Sequence, residues 1–484
     1  MGRVEYRMRL RRWIARIKDA LAGSGESTPA IDDAEARSAT EIEALIAQLR
    51  QQSPDARRGA NVSLTDLGVD DAFVAPLVAA TRDTDAYFRA SAVHALADYD
   101  LGQYPRAESA VLHALKHDTE AGVRAAAVLA LGRQSEAIAG AHVPACLQAV
   151  NDPSAEVRRE AVQVLGRWSS EPVVAALRAR LRLDTDTDVR VWAIYALARC
   201  GMADAIPDLF AASVDPDGSV RAAALDALCE FLDTEDTALR DLLLAALSDP
   251  APEVRRQAAQ GLRFGPPQAL PALRAVANDP EPRVRLEVVI ALGSRRDAES
   301  VDMIAARVFE EADEEVRYYA VSALGELRDA RATQPLINAY RTPAVGHRVQ
   351  WMALWALGEN GDITAMPTLL AALRDPDAEF RARAVESIAM LQRDLRADAE
   401  HAWPAMQPAL AEALRDVDDN VREQSAQALT AIYALPTLHA LFSGLPERDV
   451  AAKHALQRAM AACEEEEAAA TAAKSVGRGT VHYE

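Results

Sequence analysis

One spacing recurs along this chain and constrains its fold more than any other feature. An acidic residue is followed six positions later by arginine, and then, counted from the arginine, by alanine at +3, leucine at +7 and often glycine at +8. The stretch NDPSAEVRREAVQVLG (151–166) shows the whole pattern, which recurs every 30 to 41 residues. A period of this length is typical of stacked helical repeats. The arginines in this frame are Arg89, Arg124, Arg158, Arg190, Arg221, Arg255, Arg285, Arg317, Arg381 and Arg422, with Gln350 in the arginine's place between the last three.

The acid of each unit lies at a predicted turn between two helices. Five of the acids are followed by proline, which predicts a tight turn that leads into a helix with the acid as its N-cap. A first helix, A, is visible before the turn, as in AIPDLFAAS (205–213), and a second helix, B, carries the arginine. The framed acids are Asp83, Asp118, Asp152, Asp184, Asp215, Asp249, Asp279, Glu311, Asp375 and Asp416, and Ala344 stands in the acid's place before Gln350.

A single pair of helices cannot bury its apolar face alone, so neighbouring pairs must stack into a solenoid. The pattern resembles the HEAT repeat, and more closely the short HEAT-like repeat of phycobilisome lyases, over about residues 50–430. The resemblance implies an all-α, right-handed solenoid of about 11–12 helix pairs, an α–α superhelix of the armadillo type. It also implies that acid and arginine of successive repeats join in a ladder, and that the B helices line a concave surface.

The ends of the chain differ from the array. Residues 1–22 place apolar side chains at helical spacing among seven basic ones, which predicts a basic amphipathic helix. A flexible linker is expected at 23–40, the repeat solenoid at 41–435 with a degenerate first unit at 51–68, and capping helices at 436–462. An extra loop or longer helix is expected around 393–404. Residues 463–484 read as an acidic, disordered tail.

Composition excludes several classes of protein. The net charge of −20 argues against general nucleic-acid binding. Four cysteines without a CxxC pair indicate neither a disulfide framework nor a zinc site, and favour a reducing cytosol. No signal peptide or membrane span is visible. We expect a cytoplasmic, acidic protein, in which residues 1–22 contact an anionic membrane, a partner's groove or the protein's own acidic surface.

Catalytic motifs are scarce. His113 and His117 lie one helical turn apart, but no third ligand completes a metal site at a familiar spacing. None of the nine histidines is followed by glutamate, so the sequence differs from the di-iron hydroxylases of HEAT fold. No nucleophile elbow or phosphate loop is present. The sequence predicts no catalytic centre, cofactor or metal. A phycobilin-lyase-like protein or tetrapyrrole-binding chaperone, which the resemblance suggests, is the one enzymatic alternative.

A candidate binding surface follows from the geometry of helix B. With 100° per residue, positions +3, +4 and +7 face the core, while +2, +5 and +9 point away and +1 lies on the flank. In most units the outward positions are polar, but in three adjacent units and one earlier unit they are apolar or aromatic. Such patches mark interaction sites. A competing reading is that Trp351 packs on the next B helix where the ladder is interrupted. The predicted protein-binding residues are Leu286, Ile290, Tyr318, Tyr319, Trp351, Met352, Trp355, Trp192 and Tyr195.

Overall fold

The computed structural model describes residues 74–200, 203–232, 236–394, 406–433 and 435–462, and all regular structure in these ranges is helical. These residues belong to two compact units, one ending at Phe231 and the other beginning at Leu232. No helix in the described ranges is long and apolar enough to cross a membrane. The predictions for residues 1–22, 23–40, 51–68 and 463–484, and for most of the segment 393–404, fall outside these ranges.

The first unit contains ten described helices, in which A helices carry odd numbers and B helices even numbers. They are α1 (Val74–Ala80), α2 (Ala86–Leu96), α3 (Pro105–His117), α4 (Ala121–Gly132), α5 (Glu136–Ala149), α6 (Ala155–Leu165), α7 (Glu171–Leu183), α8 (Thr187–Arg199), α9 (Ile206–Ala212) and α10 (Gly218–Phe231).

The second unit continues the alternation through fourteen described helices. They are α11 (Thr237–Ala246), α12 (Pro252–Gly261), α13 (Leu270–Ala275), α14 (Pro282–Ser294), α15 (Val301–Glu310), α16 (Glu314–Leu327), α17 (Thr333–Arg341), α18 (His347–Asn360), α19 (Met366–Ala372), α20 (Ala378–Asp394), α21 (Met406–Ala413), α22 (Asp419–Ile432), α23 (Leu435–Gly444) and α24 (residues 450–462).

The all-α solenoid predicted from the repeat is confirmed. Every B helix from α2 to α22 carries one framed arginine, or Gln350 in α18, so eleven framed helix pairs are described. Within each unit a B helix packs against its own A helix and against the next B helix. Positions +3, +4 and +7 are buried, as for Ala161, Val162 and Leu165 of α6. Stacking of neighbouring pairs therefore builds the core.

The framed acid does not cap helix B, as the sequence suggested. The N-cap lies two residues after the acid, for example Glu120 after Asp118 at the start of α4. The acid instead bends the turn, because Asp118 Oδ1 accepts the backbone N–H of Glu120 at 3.0 Å. The same bond recurs from Ser154 to Asp152 at 2.8 Å. The carboxylate thus fixes its own turn and leaves its second edge for a neighbour.

That second edge is bound by the arginine of the preceding helix pair. Nε and Nη2 of Arg158, for example, donate to the two carboxylate oxygens of Asp184 at 2.8 and 2.7 Å, while Nη1 donates to the carbonyl of Asp152 in its own unit. The arginine side chains of these pairs are 11–13 % exposed. The rungs of this kind, with distances of 2.6–3.2 Å, are Arg89–Asp118, Arg124–Asp152, Arg158–Asp184, Arg190–Asp215, Arg255–Asp279, Arg285–Glu311 and Arg381–Asp416.

The glycine at +8 permits close approach of successive B helices. A Cβ built on Gly358 would lie 2.8 Å from the Cα of Ser387 and 2.9 Å from its carbonyl oxygen. Ser387 stands at +6 of the next B helix, so a residue without a side chain faces a small one. The same contact, from glycine at +8 to +6 of the next helix, joins Gly132 to Val164, Gly166 to Ala196, Gly293 to Ala323 and Gly325 to Ala356.

We predict that Gly358→Ala destabilises the second unit by about 1–3 kcal/mol, because the added methyl group meets backbone that cannot move aside. Gly122→Ala is the matched control, since a Cβ there meets nothing within 4 Å and alanine favours a helix by about 0.5–1 kcal/mol. Thermal unfolding followed by circular dichroism measures both. Equal midpoints for the two variants would contradict the close approach.

We also predict that the Arg285–Glu311 rung weakens in acid. Burial raises the pKa of Glu311, but the hydrogen bonds from Arg285 and from the Asp313 N–H, with the charges of Arg285 and Arg307, lower it to about 2. An ordinary glutamate, as in the unfolded chain, has a pKa of 4.5. The unfolded state therefore takes up the proton first, and the stabilisation present above about pH 4.5 is lost as the pH falls towards 2.

Urea titrations between pH 2 and pH 7 test this prediction on the wild type and on Glu311→Gln. Glutamine cannot ionise, so the midpoint of the wild type should fall more steeply than that of the variant between pH 4.5 and pH 2. Parallel pH profiles would show that this rung does not contribute.

Candidate functional site

Seven of the predicted binding residues lie on three consecutive B helices of the second unit. Leu286 and Ile290 are on α14, Tyr318 and Tyr319 on α16, and Trp351, Met352 and Trp355 on α18. Since α14 packs on α16 and α16 on α18, these positions form one continuous strip, called here the B-helix strip. The prediction that they share a surface therefore agrees with the packing of these helices. That they bind a partner stays a prediction.

Met352 does not lie on the surface of this strip. Its side chain is 8 % exposed and belongs to the core. Position +2 lies 200° around the helix from the arginine, close to position +6, which packs against the preceding B helix. A residue at +2 therefore enters the cleft between two B helices, and the sequence estimate placed Met352 too far outward.

Trp351, at +1, enters the cleft on the opposite side of α18. The guanidinium carbon of Arg383, at +2 of α20, lies 3.6 Å from the centre of the Trp351 ring. The ring is half-buried, so the competing reading, in which Trp351 packs on the next B helix, describes its contact. The stacked pair is attractive because the face of the indole carries negative potential.

Arg383 is a cation with fewer partners than its burial would suggest. Burial lowers the pKa of Arg383, opposed by the nearby Glu386 and Tyr318. Nη1 donates to Glu386 Oε2 at 2.6 Å, while the buried Nε has no hydrogen-bond partner among the described residues. The ring of Trp351 therefore supplies much of the compensation for this charge.

Tyr318 repeats the arrangement one helix earlier. The guanidinium carbon of Arg348 lies 4.2 Å from the centre of its ring, and the ring of Tyr319 meets it edge-on at 5.3 Å. Arg348 is exposed and forms no ion pair with the described residues. The +1 aromatic rings of α16 and α18 are thus each covered by an arginine of the following helix.

The outward centre of the strip lies at +5 and +9. Trp355, at +5 of α18, is half-buried, and neither a ring nor a cation stacks on it in the described ranges. Ile290 takes the same position on α14. Phe264, at +9 after Arg255, is 73 % exposed with the guanidinium of Arg263 5.4 Å from its ring. Sequence reasoning missed Phe264, although its place at +9 was a usable signal.

The polar residues of the strip are partly neutralised. Burial raises the pKa of Glu287, opposed by Arg256 and Arg263. Glu326 accepts hydrogen bonds from Ser322 and Ser294, each at 3.4 Å, and Glu359 pairs with Arg328 at 2.8 Å. The strip can therefore offer apolar contact area with few unpaired acids.

The remaining two predicted residues lie in the first unit. Trp192 and Tyr195 are on α8, with ring centres 5.9 Å apart in an edge-to-face contact. Trp192 is 38 % exposed, while Tyr195 is half-buried. They form a separate small aromatic surface on the B helix of their own unit.

The ladder is interrupted beside the strip, and the interruption is repaired on one side. Gln350 Nε2 donates to the carbonyl of Tyr340 at 2.6 Å, and the hydroxyl of Tyr340 donates to Asp375 Oδ2 at 2.6 Å. Burial and the bond to Asp375 raise the pKa of Tyr340, so the phenol stays protonated as the donor. Tyr340 thus replaces the missing arginine as the partner of Asp375.

A metal site is not formed by the pair of histidines that the sequence singled out. The rings of His113 and His117 on α3 are 4.8 Å apart and tilted by 43°. Within the described ranges, no group of three or more histidine, cysteine, aspartate or glutamate side chains is placed to hold a metal ion.

Comparison with known families identifies the repeat. The family described as HEAT repeats matches residues 42–132, 143–238, 239–310 and 301–389, well over half of the chain. No curated protein matches the sequence.

Several solved structures share the fold. Kap95p, in a structure that describes its binding to RanGDP, aligns with a TM-score of 0.56 and 16 % identity over 87 % of this chain and 66 % of Kap95p. Kap121p aligns with a TM-score of 0.51 and 14 % identity over 90 % of this chain and 53 % of Kap121p, and its complex with Ste12p with 0.51 and 14 % over 90 % and 52 %. The chain spans between half and two thirds of these proteins. At such identities the likeness shows the fold alone.

Proposed function

Because this chain belongs to the HEAT repeat family, we propose that it is a non-catalytic scaffold or adaptor that binds another protein or peptide through the B-helix strip. The observation that carries the proposal is the row of apolar and aromatic side chains on consecutive B helices, with Phe264, Ile290 and Trp355 at the outward positions. Apolar patches of this kind on a soluble protein are typical of interaction sites, and tryptophan and tyrosine supply many binding hot spots.

The strip is also held in place before a partner arrives. Arg348 and Arg383 stack on Tyr318 and Trp351, so these rings are fixed between successive helices. Side chains that are already ordered lose little conformational entropy on binding. We therefore assign Trp351 and Tyr318 to the support of the surface, and Trp355, Tyr319, Ile290 and Phe264 to direct contact. Met352 contributes to the core beneath it.

The structural neighbours support a protein as the partner class. One of them describes Kap95p bound to RanGDP and another Kap121p bound to Ste12p. A solenoid of stacked helix pairs offers a long surface without a deep pocket, which suits an extended or globular protein better than a small substrate. The concave course of this surface, suggested by the resemblance, is part of the proposal.

Three earlier expectations remain predictions. They are a cytoplasmic location, contact of residues 1–22 with a membrane or partner, and the alternative of a phycobilin-lyase-like or tetrapyrrole-binding protein. No contact in the described ranges favours the pigment-binding alternative. An absorption spectrum of protein purified from its native host tests it, because a bound tetrapyrrole absorbs visible light.

We predict that Trp355→Ala removes partner binding with little loss of stability, because the ring contributes to an outward surface. A hot-spot tryptophan contributes about 2 kcal/mol or more to binding. Trp351→Ala should instead lower the stability of the second unit by about 1–3 kcal/mol, since it uncovers the buried guanidinium of Arg383. Pulldown from the native host and thermal unfolding measure the two effects separately.

Phe309→Ala is the matched control. Phe309 is an exposed aromatic residue on α15, an A helix, and its loss should change neither property. A partner that is retained by Trp355→Ala, or lost equally with Phe309→Ala, would contradict binding through the strip.

A further inference from the structure

The interrupted rung leaves one ladder arginine without an acid. Seven ladder arginines hold the carboxylate of the following helix pair at 2.6–3.2 Å, among them Arg285 with Glu311 and Arg381 with Asp416. Arg317 of α16 is anchored as they are, because its Nη1 donates to the carbonyl of Glu311 at 2.7 Å and to that of Ala312 at 3.3 Å. The buried Nε of Arg317, however, has no hydrogen-bond partner among the described residues.

The reason lies in the turn that follows α17. Counted back from helix B, the acid's position is Ala344, six residues before Gln350. Counted from helix A, it is Thr342, because the 3₁₀ turn Ala330–Ala332 before α17 corresponds to Ile363–Ala365 before α19, 33 residues on, and Thr342 then matches Asp375. The turn is thus two residues longer than the others, and no residue from Thr342 to Gly346 carries a carboxylate.

The vacant position is open to solvent. Pro343 and Ala344 are exposed and Thr342 is half-exposed. The hydroxyl of Thr342 is turned to the carbonyl of Asn338 at 2.7 Å, within its own helix end. Glu314, the acid nearest the turn, has Oε1 3.8 Å from the point where a Cβ of Gly346 would lie, and it forms no ion pair with Arg317. An acid from outside the chain can therefore approach from the side of the turn.

The two halves of the interruption differ in their chemistry. The acid left over by Gln350, Asp375, is satisfied by the hydroxyl of Tyr340. The arginine left over by the long turn, Arg317, receives no replacement acceptor. A partly buried guanidinium with an unsatisfied N–H binds a carboxylate strongly when one is supplied, since the charge-assisted bond restores what burial removed.

We propose that Arg317 is a carboxylate-binding site, in which an acid from outside the ladder takes the place that Asp or Glu occupies in the other rungs. The fork of Nε and Nη2 fits the two oxygens of one carboxylate, as it does at Arg285. The site lies on the turn side of α16 and is distinct from the outward positions of the B-helix strip, so it does not depend on the proposed function. Its ligand is either a free small acid or an acidic side chain of a bound protein.

Acetate and N-acetyl-aspartate N-methylamide are the probes for these two sources. The thermal midpoint of the full chain is measured at pH 7 with increasing probe, with sodium chloride adjusted so that ionic strength stays constant. The wild type should rise with acetate and level off as the site fills. A larger rise with the blocked aspartate than with acetate would identify a protein side chain as the preferred ligand, and an equal rise would identify any small carboxylate.

Variants of this turn decide the assignment. Thr342→Asp and Ala344→Asp each supply an acid in cis, at the two positions that the longer turn allows, so at least one should raise the midpoint by about 2 °C or more and remove the response to acetate. Arg317→Gln should also remove the response, and the chain already accepts glutamine in this frame at Gln350. A rise with acetate that persists in Arg317→Gln or in both aspartate variants, or the absence of a rise in the wild type, would overturn the proposal.

Discussion

The two-point bond between an arginine and the acid of the next helix pair is the interaction on which the rest of this structure depends. The carboxylate binds the preceding arginine with one edge and its own turn with Oδ1, so each rung fixes a turn and an interface together. A lysine would offer a single point charge there, whereas the arginine fork matches both oxygens. This accounts for a chain with 53 basic residues of which only Lys18, Lys116, Lys453 and Lys474 are lysines. Because every rung is local, stability is distributed along the array in steps between neighbours.

The rungs hold the turns together, while the glycine at +8 holds the B helices together. Where Gly325 meets Ala356 the backbones are so close that no side chain fits between them. Side chains at +1 and +2 must then lie in the clefts on either side, and only +5 and +9 remain outward. This determines what a partner can touch: Trp355 and Phe264 are available, whereas Met352 is not. The binding surface is therefore a consequence of how closely the helices stack.

Much of this could be predicted from the sequence, because the repeat is a local pattern with a fixed period. The helix pairs, the framed arginines and the strip on α14, α16 and α18 all follow from counting along one helix. The errors concern contacts between helices, which no count along one helix contains. Met352 was placed outward because the wheel ignores the neighbouring helix, and the stacking of Arg383 on Trp351 joins residues of two separate pairs. Nor could the sequence show that Tyr340 would serve Asp375, since the tyrosine belongs to helix A.

The interruption at Gln350 is informative because the stack itself does not require it. The other rungs show that arginine and an acid fit this geometry on both sides, as at Arg285–Glu311 and Arg381–Asp416. At α16 and α18 the chain instead has a neutral amide, a longer turn, an uncompensated Arg317 and two tryptophans one helical turn apart. Each of these departures weakens or leaves unused a contact between neighbours that the repeat would otherwise provide. Departures from a repeat that coincide on adjacent helices, and that expose both apolar rings and an unpaired cation, are better explained by contact with another molecule than by the needs of the fold.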